Sequence, residues 1–196
     1  ICINGSFTSI TDFDPSAGVY TLAPIGQMDG YVAKLNSNGV LVWAKQFGGI
    51  GSNVSEYSIA TDQNANIYTT GYFNGAVDFD PGIAVTSLTA NVNNTFISKI
   101  DINGNFGWSK QLVSSSNNGA ASVRVDMNSN VYIVGGYSGV ADFDPGPSVK
   151  SFAYSGGTGS DVFIEKLDVN GNYNWSAQFG EYSTDQIGRA SCRERV

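Results

Sequence analysis

Three stretches of this chain carry the same words at nearly equal distances. Asp12-Phe13-Asp14-Pro15, Asp78-Phe79-Asp80-Pro81 and Asp142-Phe143-Asp144-Pro145 lie 66 and 64 residues apart. About 30 residues after each comes a second shared passage, NSNGVLVWAKQF, DINGNFGWSKQL or DVNGNYNWSAQF. Its tryptophans, Trp43, Trp108 and Trp175, are 65 and 67 apart. So regular a period means one supersecondary unit copied along the chain, with a core formed between neighbouring copies. It constrains architecture strongly and ligand weakly, because repeats make scaffolds.

One repeat reads entirely as strands. In the middle copy Ser58–Thr61 is short and alternating, and Asp62–Asn66 is a turn. Ile67–Phe73 is rich in the β-branched and aromatic residues that strands prefer. Its odd positions recur in kind in all three copies, a period of two that marks one buried face. Gly5, Gly71 and Gly135 recur at one position, as expected where another backbone passes close. A 20-residue insertion bearing DFDP follows. Then come the strands Thr95–Ile100 and Phe106–Leu112, joined by Asp-Ile-Asn-Gly-Asn, whose Asn-Gly predicts a type I′ hairpin turn. Segments 66–73, 95–101 and 105–112 should therefore be adjacent antiparallel strands, repeated at 130–137, 161–168 and 172–179. No helical period intervenes.

Four antiparallel strands per repeat describe a propeller blade. The expected fold is all-β: a partial β-propeller of about two and three-quarter four-stranded blades. Residues 1–56 form an incomplete first blade, lacking its first strand, and a linker. Residues 57–120 and 121–180 form the second and third, and 181–186 begin a further repeat. ICINGSF at the start aligns with the interior of the other copies, which points to a chain cut at this end.

Residues 187–196, IGRASCRERV, match no part of the repeat. They resemble the translation of a common sequencing adapter read from its third base, with the two preceding bases completing a CAG codon for Gln186. They are set aside as a non-native tail. Without that tail's three arginines and one glutamate the chain holds seven basic and sixteen acidic residues, a net charge of −9. Such a surface repels phosphate backbones, which argues against nucleic acid as partner. Setting Cys192 aside leaves Cys2 alone, so no disulfide framework is expected. Histidine is absent, which removes the usual neutral-pH acid–base and the commonest zinc ligand. No apolar run approaches the ~20 residues of a membrane-spanning helix.

The pieces VDFDPG and ADFDPG (77–82, 141–146), FISKIDINGN and FIEKLDVNGN (96–105, 163–172), WAKQF and WSKQL (43–47, 108–112) and IYTTGYF (67–73) together resemble the SBBP β-propeller repeat family. That resemblance covers nearly all of residues 1–185. It implies a bladed β fold, an exported bacterial protein of the secreted or cell-surface kind, and no catalytic activity. The first copy departs from it at Ser16, where the others have glycine, and at Cys2, where they have tyrosine.

In DFDP two carboxylates point to one side of an extended segment while the Phe turns to the other. That makes Asp12, Asp14, Asp78, Asp80, Asp142 and Asp144 the calcium candidates, with loop carbonyls completing the shell. The favoured reading is a turn: Asp caps local backbone, Pro presets φ and Phe anchors the insertion. No metal or other cofactor is therefore expected. The Asp-x-Asn-x-Asn sets at Asp62, Asp101, Asp126 and Asp168 open like an EF-hand loop but lack its sixth-position Gly and twelfth-position Glu, so they read as turns. The sequons at Asn4, Asn53, Asn93 and Asn174 read as chance. Lys34, Lys99 and Lys166 read as a solvated face or as partners of nearby Asp. The three tryptophans are expected between blades; exposed, they would favour sugar stacking instead.

The sequence thus points to a non-catalytic scaffold or binding surface for protein partners within a larger protein, its neighbouring blades missing. The alternative is a carbohydrate-binding propeller with a glycan ligand, calcium-assisted or not. A third option is an accessory domain of an enzyme whose catalytic part lies elsewhere.

Overall fold

The structure, a computed structural model, describes residues 1–154, 156 and 159–180. The readings of 181–186 as a further repeat and of 187–196 as a tail fall outside these residues. The described residues are all strand, turn and coil, without a helix. Three main antiparallel sheets follow one another along the chain.

The first contains β1 (Cys2–Phe7), β4 (Asp29–Leu35) and β5 (Leu41–Phe47) in the order β1-β4-β5. Between β1 and β4 the insertion forms a small hairpin of β2 (Thr11–Asp12) and β3 (Thr21–Leu22). The second sheet is β6 (Asn53–Thr61), β7 (Ile67–Asp78), β8 (Ser87–Ile100) and β9 (Phe106–Leu112), in chain order. The third is β10 (Asn118–Val125), β11 (Val131–Tyr137), β14 (Asp161–Leu167) and β15 (Tyr173–Phe179), with β12 (Val140–Asp142) and β13 (Ser151–Ala153) forming its insertion hairpin. The adjacent-strand expectation holds: Ile67 pairs with Ile100 and Lys99 with Trp108, and in the third sheet Val131 pairs with Leu167 and Lys166 with Trp175. In the middle copy the DFDP insertion is no separate unit, since β7 and β8 run on into it and pair Val77 with Leu88.

Two boundaries differ from those read in the repeat. β6 starts at Asn53 and β10 at Asn118, ahead of 57 and 121. The strands run further back because each carries a bulge, between Glu56 and Ser58 and between Ala120 and Ser122, that lets polar Asn and Ser residues keep pairing.

The sheets pack face to face, β6 against β1 and β4 of the first, β10 against β6, β7 and β8 of the second. The single buried face inferred from period two is too few for the middle sheet. Ile67, Phe73, Phe96 and Ile100 join Val32 and Phe47 of the first sheet in one core. Tyr68, Ile97 and Leu112 join Val131, Ile133, Phe163 and Leu167 of the third in another. A sheet covered on both faces becomes apolar on both, which obscures alternation.

Gly71 and Gly135 meet their expectation. A Cβ on Gly71 would fall on the Ser55 carbonyl oxygen, and one on Gly135 on the Gly119 carbonyl, where the bulged first strand crosses. Gly5 meets only the Tyr31 ring, 2.9 Å away at its nearest carbon.

Candidate functional site: repeated turns and an inter-sheet latch

The three DFDP segments form one local structure. Asp78 Oδ1 accepts from the backbone N–H groups of Asp80 (3.0 Å) and Thr86 (2.8 Å), and Asp80 Oδ1 accepts from Gly82 (2.7 Å). Asp142 serves Asp144 and Lys150 in the same way, at 3.0 and 2.7 Å, with Asp144 serving Gly146 at 2.8 Å. Asp12 serves Asp14 and Tyr20, at 3.0 and 2.9 Å, with Asp14 serving Ser16 at 2.9 Å. Each motif thus ties down its own loop with carboxylate oxygens, the bonding that the turn reading requires. The Tyr20 and Asp14 N–H groups hold the Asp12 carboxyl below its ordinary pKa. The phenylalanines anchor the loops. Phe79 and Phe143 are fully buried, with Phe79 4.9 Å from Phe96 and Phe143 4.9 Å from Phe163, centroid to centroid; Phe13, half-buried, lies 4.7 Å from Tyr31. No group of three or more Cys, Asp or Glu side chains gathers in metal-binding geometry among the described residues.

The Asp-x-Asn-x-Asn segments are hairpin turns of a different kind from the one expected. Asp101 Oδ1 accepts from Asn103 N and Asn105 N, both at 2.8 Å, and Oδ2 from Asn105 Nδ2 at 2.8 Å. Gly104 N donates to Asp101 O, and Gly104 alone among the central residues has positive φ, +79°. A type I′ turn needs two. The loop is instead a type I turn closed by a left-handed glycine, with the register shift between Lys99 and Ile100 that such a glycine introduces. Asp168 builds the same turn with Gly171 at φ +75°. In the turns at Asp62 and Asp126 the left-handed position falls to Ala65 and Ser129. Burial raises the pKa of all four aspartates, but hydrogen bonds from their own asparagines outweigh it, so each ends below its ordinary value; Lys110 adds a favourable charge at Asp168.

Trp43 and Trp108 lie between successive sheets as expected, but the hydrogen bonds they make there, and the role of Lys34 and Lys99, were not anticipated. Lys34 and Trp43 sit opposite each other on β4 and β5. Both reach the next sheet and donate to one atom, the Ile102 carbonyl oxygen, at 2.8 and 3.3 Å. Lys99 and Trp108 of the second sheet repeat the arrangement on the Val169 carbonyl of the third, at 3.3 and 3.1 Å. The turn glycine lies on the indole. A Cβ on Gly104 would stand 3.4 Å from Trp43 and 2.8 Å from Lys45; one on Gly171 would stand 3.2 Å from Trp108 and 2.8 Å from Lys110. Each pair is a latch that clasps the following repeat's turn, so Lys34 and Lys99 serve main-chain carbonyls of the next sheet instead of forming a free basic stripe. Lys99 also lies over the Tyr68 ring, 5.3 Å from its centroid. Trp43 and Trp108 are half-buried in this role, whereas Trp175 is 40% exposed.

Buried carboxylates are what the sequence reading passed over. Glu165 is fully buried on β14 among Phe163 and Leu167, and neither oxygen receives a hydrogen bond. Burial pushes its pKa well above the carboxylate range, and nearby Asp144 and Asp142 push it further. Glu56 is buried too, without a hydrogen-bond partner on either oxygen, and burial raises its pKa well above the carboxylate range against an opposing effect from Asn4. The signal for Glu165 was present: it shares a strand face with Phe163 and Leu167, positions two residues either side. Asp29 is buried too but satisfied, accepting from Ile25 N, Gly26 N and Gln46 Nε2.

These features define a class: an all-β repeat protein of successive antiparallel sheets clasped by a repeated turn-and-indole contact. Comparison with known proteins agrees. Residues 42–80 match the model of the SBBP family, described as a β-propeller repeat. That stretch runs from the latch strand β5 into the DFDP motif of the next repeat. The chain is also similar to the uncharacterized WD repeat-containing protein L264 of Acanthamoeba polyphaga mimivirus, 25% identical over 173 residues, covering 73% of this chain. It spans 12% of that relative's length.

Proposed function

We propose that the chain is a non-catalytic scaffold that presents a surface to protein partners. On this reading the three sheets are blades of about 65 residues, two complete and one lacking its first strand, within a larger exported bacterial protein. The observation that carries the proposal is where the repeated polar residues go. The Asp of DFDP, the Asp of the hairpin turns and the pairs Lys34–Trp43 and Lys99–Trp108 bond the protein's own backbone. Residues that recur because they hold repeats together support an architectural role. β-propeller and WD-type repeats, the kinds of protein to which the chain is similar, fit such a role.

One observation favours a second reading, a carbohydrate-binding propeller: the exposed ring of Trp175. A glycan array probed with the full chain, with and without calcium, separates the two. The scaffold reading expects no glycan bound. A bound glycan lost on Trp175→Ala would put the lectin first.

A further inference from the structure

Most residues that recur between the repeats are accounted for by the contacts they make. One is not. Seven places after the first aspartate of each DFDP motif stands a valine: Val19, Val85 or Val149. These are 76%, 74% and 74% exposed. Val85 belongs to the middle repeat, which has a sheet packed on either side, and it is as bare as the other two. Its exposure therefore does not come from where the chain begins or ends. A single exposed valine is ordinary. The same valine bare in every copy, on a loop held firmly by a rigid sheet, marks a surface that is presented to something.

Beyond the bonds to their own aspartates, the loops of the second and third repeats are pinned to the end of the preceding sheet's last strand. Gly48 N donates to Asp78 O at 3.3 Å and Asp78 N to Gly48 O at 2.9 Å; at the second seam Asp142 N donates to Val113 O and Ser115 N to Val140 O, both at 2.8 Å. At the first seam this leaves a groove of about 310 Å³. One wall is the preceding insertion, with Tyr20, Leu22 and Ile25, and the other is the DFDP loop, with Asp78 and Asp80. Both walls lead to bare apolar residues: Val19 adjoins Tyr20, and fully exposed Ile83 adjoins Gly82 of the loop. β5 lines the groove as well, and it pairs with β4 alone, so its other edge is open.

Asp78 and Asp80 each turn Oδ1 to their own loop, and among the described residues nothing bonds Oδ2 of either. Lys45 also lines the groove but lays its stem on Gly104. The groove thus joins an apolar wall, two carboxylates with an oxygen to spare and an open strand edge. An open edge takes an added strand, and the carboxylates, on a chain of net negative charge, take a cation. The same charge repels anionic lipid, which sets a membrane aside as the occupant. We propose that a partner protein lays an extended segment along β5 in this groove, with a lysine or arginine on Asp80 and apolar side chains on Tyr20, Leu22 and Ile25. The inference rests on the scaffold reading, to whose partner it gives a chemistry. The cavity at the second seam, lined by Gln111 and Val113, has no acid in its lining, so the first seam is the expected site.

Fluorescence polarisation of a labelled peptide of alternating lysine and valine, titrated with the full chain up to about 1 mM, supplies the test. The wild type is expected to bind it. Asp80→Asn removes the charge but keeps an Oδ1 to cap Gly82, and Ile25→Ser strips the apolar wall at an exposed position. Each should weaken binding about tenfold with unchanged circular dichroism. Asp14→Asn makes the same change of charge in the first repeat's loop, away from the groove, and should leave binding as it is. A peptide alternating lysine and glycine should bind at least about tenfold more weakly than the lysine–valine peptide. Absence of binding, equal losses from Asp14→Asn and Asp80→Asn, or equal binding of the two peptides overturns the proposal. So does co-sedimentation with phosphatidylcholine vesicles that displaces the peptide. Failure here leaves the scaffold reading standing, because other surfaces remain for protein partners; that reading falls to the glycan array instead.

Discussion

Replacing Trp108 by alanine removes two contacts that the same change at Trp175 leaves untouched. Both tryptophans touch a tyrosine of their own sheet, Tyr68 at 6.1 Å and Tyr132 at 6.4 Å between ring centroids. That loss is common to both variants and cancels in the comparison. Trp108 additionally donates to the Val169 carbonyl at 3.1 Å and covers Gly171. A hydrogen bond of that kind contributes about 1 kcal/mol net. The indole area withdrawn from water by the turn, at about 25 cal/mol per Å², contributes about 1 kcal/mol more. Lys99 still reaches the same carbonyl, so the acceptor is not stranded and the cost stays at this level. Trp108→Ala should therefore destabilise the chain by about 2 kcal/mol more than Trp175→Ala. Urea unfolding reads the difference as a shift in midpoint. Trp108→Phe should recover the area but not the hydrogen bond. Equal destabilisation by Trp108→Ala and Trp175→Ala would refute the latch as a source of stability.

Three further outcomes follow from the geometry. Millimolar calcium should leave the melting temperature unchanged, because Asp78 and Asp142 already serve backbone N–H groups, whereas a site filled at one hundred times its Kd would add about 2.7 kcal/mol; a calcium-dependent rise abolished by Asp78→Ala with Asp80→Ala would count against this. Gly71→Ala should cost about 3 kcal/mol by driving a Cβ into the Ser55 carbonyl. Gly39→Ala, strained in φ but unobstructed, should cost about 1 kcal/mol, and equal costs by chemical denaturation would contradict the crossing-strand account. Stability should peak in mildly acid solution. The raised Glu56 and Glu165 bind protons in the folded state that the unfolded chain releases above its ordinary 4.5, so their contribution falls as pH rises from there toward the folded values. The lowered Asp62, Asp101, Asp126 and Asp168 contribute above 3.8 and lose that contribution as pH falls through their folded values. Glu165→Gln should flatten the alkaline side of the profile, and a melting profile that rises from pH 5 to 7 would sink the assignment.

Strand positions were legible in the sequence because they depend on near neighbours. Asp-x-Asn-Gly-Asn fixes a tight hairpin wherever it stands, and the turn-side ends of β8 and β9 fall where the turn chemistry put them, while β7 and β8 run on into the insertion at their other ends. Turn type was less legible. Asn-Gly suits a type I′ turn, but Asp101 two residues earlier draws the Asn103 and Asn105 N–H groups to its own carboxylate and holds the loop in the longer form with a single left-handed residue. Sequence alternation under-reported burial for the opposite reason. Whether Tyr68 faces water or another sheet depends on β10 and β11, 50 and more residues away.

The latch was illegible because it joins atoms of different kinds across that distance. Trp43 and Lys34 are recognisable as repeated residues, but their partner is the carbonyl oxygen of Ile102, and a main-chain atom leaves no mark on composition. What the sequence does record is the glycine. Gly104 serves twice, once for its positive φ and once because the indole of the preceding sheet rests on it. A turn needs only the first. The same residue in the first sheet's turn, Gly39, meets the first requirement and has nothing to meet the second. Asparagine satisfies the first almost as well as glycine does. Between Gly39→Asn and Gly104→Asn, therefore, the local conformation is matched and only the packing differs. The excess destabilisation at Gly104 measures what one sheet gains by clasping the next, and a clasp that adds nothing would leave the two variants equally stable.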